Sequence, residues 1–446
     1  MVIAEFRHIA YKFPETRGGL ASLTTLTIYH FHGKQLSELL GRITTLTRLE
    51  VSWCSQLTTL PESLGQLAAL TSVMVNSCLN FEAFPPSIGQ LISLRQLFVV
   101  GVTKVTVLPE SLGQLATFET LNLNDNWSMT HLPDSLGQLT SLKTLHLEKY
   151  DGLLALPEFI GGMLALTTLR VQRCHSLQRL PESISRLAAL KTLSATECNI
   201  GRLPESLGQL AALTWLQVTY CYALTELPES LGHLAALTTL HLRGCCALTG
   251  LPESVGHLTA LKTLDLGECR VLTGLPNSLG QLAALEMLDL SNSPLTRLPV
   301  SLCRLTALKS LTLSGCPLTS LPDSLIQLTM LTTLWLRQCR ELSALPESLG
   351  CLESLKFFEI SNCRALTRLP YSFGLLSETT LRTTCYTLNH AMTVPPVPVQ
   401  ALGAVAVKRF LLERYSPPKL LLLVLAARHW HIDHLPGELW VEVGLA

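Results

Sequence analysis

The residues of this chain best suited to chemistry are its cysteines. Fourteen occur in 446 residues, two of them adjacent in "TTLHLRGCCALTGLPES", residues 238–254. Thiols at close range form disulfides, bind soft metals as thiolates or act as nucleophiles. A small thiol also simply packs in a core. A second stretch, "RHWHIDH" from Arg428 to His434, gathers His429, His431, Asp433 and His434, all transition-metal ligand types. If extended, it sets His429 and His431 on one face. No further ligand group falls nearby in sequence, so the expectation there is a solvated polar turn and no metal.

The spacing of the chain shows what must position the cysteines. The proline of "LPES" recurs at Pro61, Pro85, Pro109, Pro133, Pro157, Pro181, Pro204, Pro228, Pro252, Pro276, Pro299, Pro322, Pro346 and Pro370, at intervals of 24 or 23 residues. Pro14 continues the series backwards, with Ser37 where the intervening proline would stand. In the unit that starts at Pro228, apolar residues fall at Leu231, Leu234, Leu237, Leu240, Leu242, Leu248 and Leu251. The alternation L-x-L predicts a short strand with Leu240 and Leu242 turned inward and His241 outward. "PESLGQLAAL" opens with proline and an acid, suited to a first helical turn, and predicts a short helical or 3₁₀ segment on the opposite wall. No single unit can bury its own leucines. The units must therefore stack into one continuous core, with the strands on one face.

These units resemble leucine-rich repeats, of the intracellular type found in plant disease-resistance receptors and Ras-group scaffold proteins. The resemblance covers residues 14–382. It implies an α/β repeat solenoid, a horseshoe of roughly fifteen units with a parallel β-sheet on the concave face and helical or 3₁₀ segments on the convex face. Units with C-x-x-L look like the plant-receptor type, and the three 23-residue units, such as "CPLTSLP" from Cys316, match the shorter Ras-group spacing.

Three residues after the second strand leucine stand Phe31, Cys54, Cys78, Val102, Asn126, Tyr150, Cys174, Cys198, Cys221, Cys245, Cys269, Ser293, Cys316, Cys339 and Cys363. Ten of the fourteen cysteines share that position. In the family it is an asparagine or cysteine ladder, whose small polar groups bond the turning backbone from inside the core. Neighbouring rungs about 4.8 Å apart run parallel, whereas a disulfide needs a dihedral near a right angle and a metal needs converging ligands. Structural packing is the expectation for the ladder, with Cys246 one position later and exposed in the turn. So many unpaired thiols fit a reducing compartment, and a cytoplasmic location is expected.

Nothing else points to catalysis. There is no G-x-x-x-x-G-K-[ST] loop, no G-x-S-x-G elbow and no H-E-x-x-H helix. The nucleotide-switch domain of a plant-type receptor is therefore not expected in this chain. The recurrent serines Ser63, Ser111, Ser206 and Ser230 are read as helix-start residues. No enzymatic activity and no cofactor are expected. Formal net charge is zero, which argues against nucleic acid and anionic membrane as partners. The longest apolar run, Leu420 to Ala427, is too short to span a bilayer.

Function is expected on the strand face, where the residue between the strand leucines changes from unit to unit while the framework does not. Among outward positions, His146, Arg170, Trp215, His241, Arg243, Asp265, Asp289, Trp335, Arg337 and Phe357 are the candidates for binding a protein partner. Aromatic and arginine side chains dominate interface hot spots. The expected function is non-catalytic protein recognition or scaffolding, and the resemblance implies an intracellular signalling or defence-like setting.

The ends carry further expectations. Residues 1–13 align as the trailing half of a repeat, with Val2 and Ala4 at the strand positions and no polar cap before them. That end is either covered by a partner or a second copy, or belongs to a longer product. Residues 383–446 read as a proline-interrupted helical cap, two short apolar helices separated by Ser-Pro-Pro. The final "LPGELWVEVGLA", residues 435–446, is similar to the opening of an F-box at Leu435, Pro436, Glu438 and Leu439. That similarity implies an alternative role as substrate adaptor of a ubiquitin ligase.

Overall fold

Repetition of L-x-L at intervals of 23 or 24 residues leaves each strand one way to bury both leucines, which is to lie in register on the strand before it. The structure, a computed structural model, describes residues 2–7, 22–376, 393–395 and 404–414. They fall in two compact units, Met1–Leu224 and Thr225–Ala446.

In the first unit, β1 (Val2–Arg7), β2 (Leu23–Tyr29), β3 (Arg48–Ser52), β4 (Ser72–Asn76), β5 (Gln96–Val100), β6 (Thr120–Asn124), β7 (Thr144–Glu148), β8 (Thr168–Gln172), β9 (Thr192–Thr196) and β10 (Trp215–Thr219) run parallel, each beside the next. In the second, β11 (Thr239–His241), β12 (Thr263–Asp265), β13 (Met287–Asp289), β14 (Ser310–Thr312), β15 (Thr333–Trp335) and β16 (Phe357–Glu359) do the same. Leucine pairs with leucine across the strands, as Leu264 does with Leu240 and Leu288. Leu240, Leu242, Leu264 and Leu266 are wholly buried. This is the parallel-sheet repeat solenoid that the spacing predicts.

The opposite wall consists of five-residue 3₁₀ turns such as Glu62–Gln66 and Glu229–His233, with proline at the N-cap of all those described but Glu38–Arg42, which Ser37 caps. They are stitched together by the residues of "PESLG". The glutamate of one repeat accepts a hydrogen bond from the serine N–H of the next, as from Ser63 to Glu38 at 2.9 Å and from Ser183 to Glu158 at 3.0 Å. These serines do open the turns, but their N–H groups serve the neighbouring repeat. The glycine of the motif allows the close stacking: a Cβ on Gly232 would lie 2.4 Å from the carbonyl oxygen of Ser254.

Each strand end carries a feature that the residue types do not announce. The residue just before every ladder position adopts positive φ, from His30 (φ 50) and Trp53 (φ 59) to Gln338 and Asn362 (φ 62). Only Gly101, Gly244 and Gly315 among them are glycine. The left-handed residue turns the chain off the strand and presents its N–H to the carbonyl of the next repeat, as Trp53 does to Asn76 at 2.9 Å.

At the N-terminal end the register corrects the sequence expectation. Ala4 pairs with Leu26 and Phe6 with Ile28, so Ala4 and Phe6, and not Val2 and Ala4, occupy the strand positions of β1. At the other end helix α1 (Ala404–Arg414) lies on the last 3₁₀ turn, with Val407 and Leu411 buried and Lys408 Nζ donating to the Leu376 carbonyl at 3.1 Å. Among the described residues no helix is long and apolar enough to cross a membrane.

Candidate functional site

The ladder occupies the core, and its thiols are spent on the backbone. Cys269 Sγ donates to the Leu242 carbonyl at 3.4 Å and Cys363 to that of Leu336 at 3.0 Å, each one repeat back. Asn126 and Ser293 do the same work, Asn126 Nδ2 reaching the Val99 carbonyl at 2.7 Å and Ser293 Oγ that of Leu266 at 3.2 Å. All ten ladder cysteines are buried and free of disulfides. Burial pushes the Cys221 and Cys316 thiols up to about 11 and Cys269 to about 12, so the nucleophilic thiolate is suppressed. Cys246 is half-buried rather than exposed, its Sγ donating to the Glu268 carbonyl at 3.6 Å. Among the described residues no group of three His, Cys, Asp or Glu side chains is placed to hold a metal. The histidine-rich stretch 428–434 and the F-box-like segment 435–446 lie outside the described residues.

On the strand face of the second unit, the candidate residues separate into two groups. His241, Arg243, Asp265 and Asp289 form one network. Arg243 Nη2 donates to Glu268 Oε1 at 2.8 Å and Nη1 to Asp289 Oδ2 at 3.0 Å, with Asp265 Oδ1 at 3.8 Å. His241 Nδ1 lies 3.8 Å from Asp265 Oδ2. Both aspartates also bind the backbone, Asp265 accepting from Gly267 N–H at 2.9 Å and Asp289 from Ser291 N–H at 2.8 Å. Gly267 makes the long reach of Arg243 feasible, since a Cβ there would sit 2.8 Å from Nη1. Burial raises the Asp265 carboxyl and lowers the His241 imidazole from their ordinary values. The charges of this group are therefore committed within the chain.

Trp335, Arg337 and Phe357 form the second group. The register places Thr333 beside Phe357 and Trp335 beside Glu359, so Trp335 and Phe357 are diagonal neighbours on adjoining strands. Strand spacing and rise put their Cα atoms about 8 Å apart. Trp335 is 38% exposed and Phe357 51% exposed. Arg337, two residues beyond Trp335, shares its face and is exposed.

The first unit holds the remaining three candidates. His146 and Arg170 are register partners, and burial together with the Arg170 charge lowers the His146 imidazole. Trp215, the first residue of β10, is 40% exposed. A further feature went unread in the sequence: an open groove of about 520 Å³ along the strand ends, lined by Trp53, Leu79, Gly101, Asp125, Trp127 and Lys149 among others. Trp53 and Trp127 are 55% and 60% exposed. The groove exists because the left-handed positions between Trp53 and Asp125 are filled by Ser77 and Gly101. Comparing the two positions that flank each ladder residue is the signal that would have found it.

Comparisons with known proteins agree with this architecture. Residues 259–318 match the family model described as leucine rich repeat. No curated protein matches. Among solved structures, the chain is 28% identical to the leucine-rich-repeat protein LIC12759 of Leptospira interrogans, over 78% of this chain and 87% of that one, with a TM-score of 0.66. It is 30% identical to the leucine-rich-repeat domain of the type III effector XopL, over 49% of this chain and 75% of that one, with a TM-score of 0.45. Toll, in its Drosophila complex with Spätzle, shares 20% identity over 84% of this chain and 56% of that one, with a TM-score of 0.62. The likeness to Toll is one of fold.

Proposed function

Because the chain is a leucine-rich-repeat solenoid, we propose that it is a non-catalytic recognition scaffold that holds a protein partner on its strand face. The observation that carries this reading is the pair Trp335 and Phe357, two large aromatic side chains left partly exposed at diagonal positions on adjoining strands. Aromatic side chains in solvent are expensive, and they are the residues that dominate protein interfaces. The committed charges of Arg243, Asp265 and Asp289 support the same division, because they brace the sheet beside the aromatic pair. A neutral net charge fits a protein partner better than a nucleic acid. The buried thiol ladder fits a reducing, cytoplasmic setting, and the repeat type fits intracellular signalling or defence-like recognition.

The test compares partners captured by the wild-type chain, by Trp335→Ala/Phe357→Ala, and by Val300→Ser on the 3₁₀ wall, where Val300 is 70% exposed. Partners lost only from the aromatic variant support the strand face. An unchanged partner list in that variant, with its fold intact, overturns it.

A further inference from the structure

The charges around the aromatic pair differ from those elsewhere on the same face, and the difference bears on what binds there. Around β11 to β13 the strand-face guanidinium of Arg243 is met by Glu268 and Asp289, while Arg270, which follows the ladder residue Cys269, is exposed. Around β15 and β16 three guanidiniums, those of Arg337, Arg340 and Arg364, are exposed, and none is within ion-pair distance of a carboxylate among the described residues. Arg337 stands on the strand face. Arg340 and Arg364 each follow a ladder cysteine, Cys339 and Cys363, and so occupy equivalent places in successive repeats. One strand spacing, about 5 Å, separates such positions. Two carboxylates stand in this region. Glu359 accepts from Ser361 Oγ at 2.8 Å, and Glu341 lines the rim beside Arg340. Neither neutralises the three arginines.

We infer that the segment recognised here, running from the strand face over the turn that follows the strands, is an acidic peptide with one large apolar side chain. The apolar side chain seats between Trp335 and Phe357, and carboxylates of the peptide meet Arg337, Arg340 and Arg364. Arginine suits that task because its planar fork takes a carboxylate through two parallel hydrogen bonds. Side-by-side guanidiniums without counter-ions repel one another, and an acidic partner removes that repulsion on binding. The inference rests on the strand-face reading and narrows it to one class of partner.

The experiment titrates the full chain with fluorescein-labelled ten-residue peptides, read by anisotropy. Each peptide carries a central Trp or Leu flanked by four Asp or Glu residues, and matched pools replace the acids by Lys or by Ser. The acidic pool is expected to bind, and to bind more weakly as NaCl is raised. Arg337→Glu/Arg340→Glu/Arg364→Glu, all at exposed positions, is expected to weaken it about tenfold or more and to favour the lysine pool. Failure of the acidic pool to bind overturns the inference. Equal binding of all three pools that is lost in Trp335→Ala/Phe357→Ala overturns the acidic class while sustaining the strand face. Binding insensitive to both variants overturns the two readings together.

Discussion

Arg243 Nη1 reaches past strand β12 to Asp289 Oδ2 on β13, at 3.0 Å, through a gap left by the missing side chain of Gly267. Three carboxylates, of Asp265, Glu268 and Asp289, surround this guanidinium, and each of the four side chains is at most 31% exposed. One cation thus ties three consecutive repeats of the second unit together.

Removing it leaves mutually repelling, partly buried carboxylates. Arg243→Met is expected to cost about 1–3 kcal/mol, less than a fully buried pair because water still reaches the site. Gly267→Ala is expected to act in the same direction by pushing the guanidinium aside. Arg337→Met, on the same face but unpaired, is expected to stay within about 0.5 kcal/mol of wild type. Denaturant melts of the three variants check this. Equal stability of Arg243→Met and Arg337→Met would show the network contributes nothing.

The glutamate stitching on the 3₁₀ wall is sensitive to acid. Hydrogen bonds from Ser63, Ser135 and Ser183 hold Glu38, Glu110 and Glu158 below the ordinary value of 4.5. A carboxylate held low in the folded state stabilises it above the unfolded value, and that contribution is lost as pH falls through the folded value. The melting temperature is therefore expected to drop as pH falls below 4.5. Asp265, raised by burial, works the other way and offsets part of the loss. In Glu38→Gln/Glu110→Gln/Glu158→Gln the melting curve is expected to be lower at neutral pH and flatter in acid. Parallel pH profiles for the two proteins would contradict the assignment.

Legibility in the sequence followed side-chain type. The leucine pairs and the cysteine ladder could be read because burial demands one kind of side chain at each, and Asn126 or Ser293 could be recognised as doing the work of cysteine. The left-handed positions could not be read, since His30, Trp53, Arg173, Tyr220 and Gln338 share no property beyond the backbone that the strand end imposes on them. Trp335 and Phe357 were legible as outward aromatics. The commitment of Arg243 was not, because it depends on a reach over Gly267 that no spacing reveals. Trp53 and Trp127 were missed because they flank the ladder and lie off the strand face.

Thiol accessibility separates packing from reactivity. Of the thirteen described cysteines, eleven are buried and two, Cys246 and Cys351, are half-buried. Burial raises the Cys351 thiol, while Cys246 is held only by a 3.6 Å bond to the Glu268 carbonyl. Alkylation of the native protein with iodoacetamide near pH 8, mapped by mass spectrometry, is expected to mark Cys246 first among the described cysteines and to leave the ladder unmodified until unfolding. Early modification of Cys174, Cys221 or Cys269 would show the stack opening locally.

The left-handed positions themselves offer a last test. Gln338 sits at φ 62 with its side chain exposed, and its N–H donates to the Ser361 carbonyl at 2.8 Å. An L-residue pays about 1–2 kcal/mol for that conformation, and glycine avoids the clash at the cost of a looser unfolded chain. Gln338→Gly is therefore expected to be neutral or to stabilise by up to about 1 kcal/mol, as the natural glycines at Gly101, Gly244 and Gly315 suggest. Gln338→Val, with a branched Cβ, is expected to destabilise by about 1–2 kcal/mol without touching any buried side chain. The order Gly, Gln, Val in denaturation midpoint is the signature of a conformation imposed by the repeat on whatever residue stands there. A reversed order would mean that this strand end relaxes to negative φ in solution.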